Sequence, residues 1–384
     1  MEERQIQDLL LKILNSALNE EKAEVLIDTN AVSECLDPLY RLAKKHDVAY
    51  AVSQFVYKNK ISGAPEVMQK LQMEELVTVY RAEQFSFTLD EICQAFDEEN
   101  IAYLPLKGAV IRSRYPSEYL RTSCDIDVLI HEEDIDKATA CLVKKGYTCG
   151  EREYHDVSLY SPSKVHLELH FTLFENLPAL DKVLGEVWRY AKHIEKGRHE
   201  LLDEFFAYHI FAHMAYHFSS GGCGIRSLMD IWVMEHKMGL DYTCAEKLLE
   251  KAGIYKFAEQ MSAIANKCFG NGEVDEFSKR VLGYIFDGGL YGTEKNKIAV
   301  NKSKADGIVT YAIRRLFMPY RYMADAYPVL VKAPFLLPIF WVVRGFRVIF
   351  NKDSKRIISE LNYANNMSEG SISDMKEICA KLGL

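Results

Sequence analysis

Asp125-Ile-Asp127-Val-Leu-Ile130 sets two carboxylates two residues apart in an otherwise apolar run. Successive strand side chains point to opposite faces, so on a strand Asp125 and Asp127 share one face while Ile126, Val128 and Ile130 pack on the other. Two ionised carboxylates so placed repel each other, and a divalent cation resolves the conflict; carboxylate oxygens are the ligands Mg²⁺ takes. Val165-His-Leu-Glu-Leu-His-Phe171 alternates strictly, with His166, Glu168 and His170 on one face. Glu168 becomes a third carboxylate if the two strands are neighbours. Polar outer faces of half-exposed strands would give the same alternation, so both accounts stand on these strings alone.

Upstream, Tyr103-Leu-Pro-Leu-Lys107-Gly108-Ala-Val-Ile111 reads as a strand, a glycine turn and a helix. Such a turn offers backbone N–H groups to an anion, and Lys107 adds a mobile positive charge. Arg121, four residues before Asp125, is placed to face phosphate oxygens. Strand, glycine turn, helix and then Asp-x-Asp on the next strand is an arrangement for phosphate and metal.

Farther on, His209, His213 and His217 recur every four residues along one side of a helix. Histidines so spaced can share a metal ion, but no nearby carboxylate or cysteine completes the set, which favours a cleft-lining polar stripe. After Ser219-Ser-Gly-Gly-Cys-Gly224, Arg226 and Asp230 are an i, i+4 pair. An ion pair between them and a cleft role for Arg226, touching base, sugar or acceptor, are equally open. His170, His213, His217 and Asp230 are the candidate cleft-lining residues.

The elements that must position these groups follow from periodicity. Residues 1–84 read as amphipathic helices, with Leu9, Leu10, Ile13 and Leu14 at helical spacing. Phe85–Phe96 continues the helical pattern until Glu98-Glu-Asn100 ends it. Strands are expected at Ile101–Leu106, Asp125–Ile130, Val157–Tyr160 and Val165–Phe171, with a helix at Asp134–Lys145 stopped by Gly146. After Phe174 the pattern reads helical to the end. The expected fold is therefore α+β, a small mixed sheet flanked by N-terminal and C-terminal helical regions. Its divisions fall at 1–84 (helical), 85–175 (α/β core), 176–300 (helical) and 301–384 (basic, aromatic-rich and helical).

Composition agrees with a globular protein: 384 residues, 48% hydrophobic and 27% charged. With 47 Lys and Arg against 55 Asp and Glu, the net charge of −8 disfavours a general nucleic-acid binder. Nine scattered cysteines, none in a Cys-x-x-Cys pair, argue against a zinc ribbon or disulfide framework and for a reducing compartment. No signal-peptide pattern and no long apolar run is present, so a cytoplasmic location is expected. Residues 302–356 depart from the average with 11 Lys or Arg against 3 Asp or Glu, interleaved with Tyr311, Phe317, Tyr320, Tyr322, Tyr327, Phe335, Phe340, Trp341, Phe346 and Phe350. An anionic membrane surface or a buried helical core with a basic rim fits that mixture. Pro334 and Pro338 interrupt the amphipathic helix that insertion needs, which favours core.

Taken together, Asn100–Gly108, Tyr115-Pro116, Arg121-Thr-Ser-Cys-Asp-Ile-Asp-Val-Leu-Ile130, Lys145-Gly-Tyr147 and Leu167-Glu-Leu-His170 resemble the uncharacterised nucleotidyltransferase family of the DNA polymerase β-like superfamily. The resemblance runs over about residues 85–240. It implies a mixed α/β nucleotidyltransferase core in which Asp125, Asp127 and Glu168 are catalytic and hold two Mg²⁺ ions. It further implies an NTP donor contacted by Lys107, Gly108, Arg121 and Arg226. Lys107-Gly108 stands where that superfamily usually carries Gly-Ser, and the spacer to Asp125 is longer, so Lys107 would replace the serine's phosphate contact.

The function expected is metal-dependent transfer of a nucleotidyl group from an NTP to a hydroxyl or phosphate acceptor, a small molecule being favoured over protein or RNA. The rivals are a catalytically inactive module that binds nucleotide or a partner on the same fold, and an antitoxin-like enzyme that modifies protein or tRNA. Membrane association is not favoured.

Overall fold

The computed structural model describes residues 2–19, 27–175, 177–270, 272–290, 292–303, 310, 313, 317–318, 320–350 and 362–384. Among the described residues the first elements are helices: α1 (Glu3–Asn19), α2 (Thr29–Glu34), α3 (Leu36–Lys45), α4 (Ala49–Lys58) and the 34-residue α5 (Pro65–Glu98). Pro65 opens α5, where a missing N–H costs nothing, and Asn100, in the left-handed region at φ 53°, turns the chain away just past its end. The strands are β1 (Tyr103–Pro105), β2 (Asp125–Ile130), β3 (Thr148–Arg152), β4 (Asp156–Tyr160), β5 (His166–His170), β6 (Ala191–Glu195) and β7 (Arg198–Leu201). Between them lie α6 (Gly108–Ile111), α7 (Ile135–Lys144) and α8 (Pro178–Leu184). After the last strand come α9 (Asp203–Ser219), α10 (Ile225–Lys237), α11 (Glu246–Lys251), α12 (Tyr255–Phe269), α13 (Glu276–Gly288) and α14 (Glu294–Ser303).

The seven strands form one mixed sheet in the order β3-β4-β5-β2-β1-β7-β6. β2 runs parallel to β5 and β1 parallel to β7; the other neighbours are antiparallel. One face is apolar. Ile126, Val128, Ile130, Val157, Leu159, Leu167 and Leu169 pack there against Phe85, Ile92 and Phe96 of α5 and Ile135, Ala138 and Leu142 of α7. Leu104, Leu106 and Leu129 belong instead to a larger core shared with α1, α3, α4, α9, α10 and α12. Helices from both ends of the chain thus enclose the sheet's second face, and the polar residues of β2 and β5 are caught at that junction.

The α+β reading holds, with three strands added. The stretch after Phe174 is not wholly helical: β6 and β7 form a hairpin at 191–201 that extends the sheet beyond β1. Its turn is Lys196-Gly197, with Lys196 at φ 46°. Tyr103 N–H donates to the Gly197 carbonyl at 2.9 Å, and a Cβ on Gly197 would fall on the Ile101 carbonyl, so only glycine allows this approach. β3 lacks an apolar alternation because it is an edge strand whose five residues are all exposed.

Among the described C-terminal aromatics, Phe317, Tyr320, Phe335 and Phe346 are exposed rather than packed in the expected core. Leu330 and Met323 are buried, but Phe335 is 78% and Phe346 59% exposed, with Val331, Ile339 and Val342 also exposed. Trp341 is half-buried and donates its indole N–H to the Met318 carbonyl at 2.8 Å. In the helix Glu369–Leu382, Met375, Ile378, Cys379 and Leu382 join the main core. Residues 304–309, 311–312, 314–316, 319 and 351–361, Tyr311 and much of the basic stretch among them, lie outside the described residues. No described helix is long and apolar enough to cross a membrane.

Candidate active site

Register decides which groups meet. Across the parallel β2–β5 pair, Asp125 stands opposite His166 and Asp127 opposite Glu168. Across the antiparallel β4–β5 pair, His166 faces Tyr160, Glu168 faces Ser158 and His170 faces Asp156. The period-2 rule then puts all of these on one face, opposite the apolar one. The two strands are neighbours, so Glu168 lies beside Asp127. Ligand atoms of Asp125, His166 and Glu168 lie within 4.8 Å of one another, as do those of Asp127, Glu168 and His170. Glu168 is common to both trios.

The carboxylates differ in environment. Lys107 Nζ lies 3.3 Å from Oδ1 of Asp127, and His170 Nε2 lies 3.0 Å from the same oxygen and 3.5 Å from Oε2 of Glu168. Burial pushes the Asp127 carboxyl up, but Lys107 and His170 outweigh it and hold the group well below the usual carboxylate range. The hydrogen bond from His170 likewise lowers Glu168. His170 in turn is raised to about 9, its two carboxylate partners overcoming burial. Asp125 is the exception: burial first, then Asp127 and Glu168, push its carboxyl up. Lys107 and Arg226 pull the other way and do not offset this.

Lys107 is held by an unusual backbone, φ 43° and ψ −113°, a region costly for any residue with a Cβ. The cost places its ammonium over Asp127. Gly108 is required for packing, because a Cβ there would lie 2.5 Å from Oγ of Ser123 and 3.6 Å from the Arg121 guanidinium. The N–H groups of Ala109, Val110 and Ile111 already donate to the carbonyls of Leu106 and Lys107, so only the start of the turn has N–H to offer an anion.

Arg121 and Asp230 pair with each other. Arg121 Nε lies 2.7 Å from Oδ1 of Asp230, the Tyr115 hydroxyl donates to that oxygen at 2.6 Å, and all three residues are buried. Arg226 does not pair with Asp230 along α10. It donates to Oδ2 of Asp47 and to the Thr122 carbonyl, each at 2.8 Å. Asp47, at φ 56° in the loop between α3 and α4, ties the N-terminal helices to the strand entering Asp125. Both arginines therefore brace the segment 121–123 from behind. Nothing in the local sequence around Asp47 marks it; its partner is 179 residues away.

The histidine stripe of α9 forms the facing wall. Burial, followed by the Lys107 charge, keeps His209 down at about 3 and His217 at about 4, and holds His213 well below its ordinary value. His213 Nδ1 lies 3.3 Å from Oε1 of Glu175, a residue the motifs did not single out. Burial pushes the Glu175 carboxyl up to about 7 against the opposing pull of Lys107 and His170. A signal existed in its position five residues beyond His170, in the segment that carries the chain off the polar strand.

Carboxylates on adjacent strands, a lysine on a strained turn and a histidine-lined wall thus share one polar face of the sheet. The family described as "Uncharacterised nucleotidyltransferase" matches residues 34–270, and the chain belongs to it: this is a nucleotidyltransferase. The match takes in the N-terminal helices from α3 onward, the whole sheet and the helices through α12, farther in both directions than the motifs themselves. Comparison with curated proteins and with solved structures gave no match.

Proposed function

We propose that the enzyme transfers a nucleotidyl group from an NTP to a hydroxyl or phosphate acceptor, most simply a small molecule, with Mg²⁺ held by Asp125, Asp127 and Glu168. The observation that carries this reading is the parallel register that lays Asp127 beside Glu168 with Asp125 one step along the same face. The donor set fits the ion: three carboxylates supply the oxygens Mg²⁺ prefers, and Asp125 shows the crowding of negative charge that a cation would relieve. Bound there, Mg²⁺ would orient the triphosphate and lower the barrier to attack at the α-phosphorus. A DNA polymerase β-like architecture for the core belongs to the same proposal.

The chain's own groups supply the rest. Lys107 offers its ammonium to the donor phosphates, with its pairing to Asp127 keeping the chain extended toward the carboxylates. Arg121 and Arg226 act from behind by fixing residues 121–123, and they reach nucleotide only through the edges not spent on Asp230 and Asp47. Glu175, balanced between acid and carboxylate near neutral pH and backed by His213, is the group on the facing wall that can take the proton of an acceptor hydroxyl. His170, His213 and His217 line the space between the walls. Incubation of the protein with each labelled NTP, Mg²⁺ and a metabolite extract, read by mass spectrometry for nucleotidylated adducts, tests the reaction and finds the acceptor. Adducts that form without the protein, or none with any NTP, would defeat it.

A further inference from the structure

The polar face continues past the carboxylates onto β4. Asp156 stands opposite His170 across the β4–β5 pair. His155, in the bend before β4, turns its ring toward both. Its Nε2 lies 3.4 Å from Oδ2 of Asp156, and its ring stacks on that of His170 with centroids 5.8 Å apart. A ligand atom of each residue lies within 4.8 Å of the other two.

Three polar atoms in this cluster are buried without a hydrogen-bond partner: Nδ1 of His155, Oδ1 of Asp156 and Nδ1 of His170. Asp156 and His170 are each only 5% exposed. Buried polar atoms are nearly always matched, and three unmatched ones in a single cluster call for a ligand. The backbone is held ready for it. Phe171 N–H donates to the His155 carbonyl and Glu153 N–H to the Asp156 carbonyl, both at 3.0 Å. On its other side the His170 ring meets Asp127 and Glu168 through Nε2. With a metal ion in place of the proton on Nδ1, the unmatched atom, the ring would still donate from Nε2 to the carboxylates. Carboxylate, histidine and metal in that order is how ligating histidines are commonly oriented.

We propose that His155, Asp156 and His170 form a binding site for a transition-metal ion of the zinc type, separate from the Asp125, Asp127 and Glu168 carboxylates. Two imidazole nitrogens and one carboxylate oxygen are a donor set for Zn²⁺ or its relatives rather than for Mg²⁺, and three protein ligands leave a fourth position for water. The ion would hold His170 in its Nε2–H form, with that donor directed at Asp127 and Glu168. The site stands on its own residues and does not depend on the nucleotidyl-transfer chemistry.

The test is a titration of full-length, chelator-treated protein with Co²⁺, followed in the visible spectrum, with Zn²⁺ competition and metal analysis. One equivalent of Co²⁺ should bind with an absorption band that Zn²⁺ abolishes. His155→Ala and Asp156→Asn should each weaken Co²⁺ binding at least tenfold, while Asp125→Asn binds as the wild type does. Asp156→Asn keeps the shape of the side chain and decides the matter should His155→Ala fail to fold. A wild-type protein that takes up no Co²⁺, or one whose affinity survives Asp156→Asn, would overturn the proposal. So would loss of binding in Asp125→Asn with retention in Asp156→Asn, which would move the ion to the carboxylates.

Discussion

Asp127 of β2 and Glu168 of β5 face each other in parallel register, and a single imidazole nitrogen, Nε2 of His170, lies 3.0 Å from the first and 3.5 Å from the second. With Lys107 on the same side of Asp127, two positive groups attend two of the three carboxylates. At Asp125 burial, then the charges of Asp127 and Glu168, push the carboxyl up and outweigh the pull of Lys107 and Arg226.

Asp125→Asn should therefore separate stability from activity. It removes the repelling charge, so the metal-free variant should melt at or above the wild-type temperature, while nucleotidyl transfer falls by roughly 10²–10³, the scale of losing one transition-state electrostatic partner. Calorimetry in chelator and a transfer assay with Mg²⁺ read the two effects. A variant that loses stability along with activity would show that Asp125 is a structural carboxylate.

At Lys107 the backbone and the side chain can be tested apart. Lys107→Gly and Lys107→Ala both delete the ammonium, but only glycine tolerates φ 43° and ψ −113° without strain, so the Gly variant should be the more stable by about 1 kcal/mol. Both should raise the apparent KM for NTP to a similar degree. Unchanged NTP affinity in both would place the donor phosphates elsewhere.

Gly108 carries a packing prediction. Gly108→Ala should destabilise the protein because its Cβ would lie 2.5 Å from Oγ of Ser123. Ser123→Ala leaves a Cβ but clears the oxygen, so the double variant should recover most of the loss in denaturant titrations. Additive effects in that cycle would refute the contact.

Arg121 sits deeper than a phosphate ligand would. Arg121→Ala strands Asp230 in the interior, and breaking a buried pair in this way costs about 3–5 kcal/mol. Its unfolding midpoint in urea should fall sharply, and more than that of Lys107→Ala. Near-normal stability with lost NTP binding would return Arg121 to the nucleotide.

Stability should also respond to Glu175 with a definite sign. Its folded value of about 7 lies above the ordinary carboxyl range, so the folded state holds the extra proton and stability falls as pH rises from about 4.5 to 7. His209, His213 and His217 are depressed instead, so their contribution grows with pH up to about 6.5 and is lost in acid. Glu175→Gln removes the opposing slope. The rise in stability from pH 4.5 to 6.5 should then steepen by up to about 1.4 kcal/mol per pH unit. An unchanged pH profile would mean that Glu175 is ionised throughout.

The residues of the site were legible where local pattern determines the face. Alternation in Asp125–Ile130 and Val165–Phe171 put Asp125 with Asp127, and Glu168 with His166 and His170, on the polar face of each strand, because the apolar partners leave each strand one way to lie. That the two strands are neighbours is set by the sheet order. The Lys107-Gly108 turn was visible for the same reason. The partners of Arg121 and Arg226 were not. An i, i+4 spacing suggested Arg226 with Asp230, yet each found a stronger partner across the fold, and no local rule carries a contact over 109 or 179 residues. β6 and β7 were hidden because Lys192, His193, Glu195 and Glu200 lack apolar alternation; the hairpin is made by the Lys196-Gly197 turn and by docking on β1. The exposed aromatics near Phe335 and Phe346 reverse the expectation of core, since composition counts apolar residues without saying which have neighbours.

The central claim is nucleotidyl transfer at the carboxylate strip, and the position of the label in an NTP tests it most directly. Full-length protein should be incubated with Mg²⁺, a metabolite extract and NTP labelled at either the α- or the γ-phosphate, beside the Asp127→Asn variant and a chelator control. Label from the α-phosphate should enter an acceptor while γ-label leaves as pyrophosphate, with both events absent in the variant and in chelator. Transfer of γ-label to the acceptor, or α-label transfer that persists undiminished in Asp127→Asn, would contradict the account.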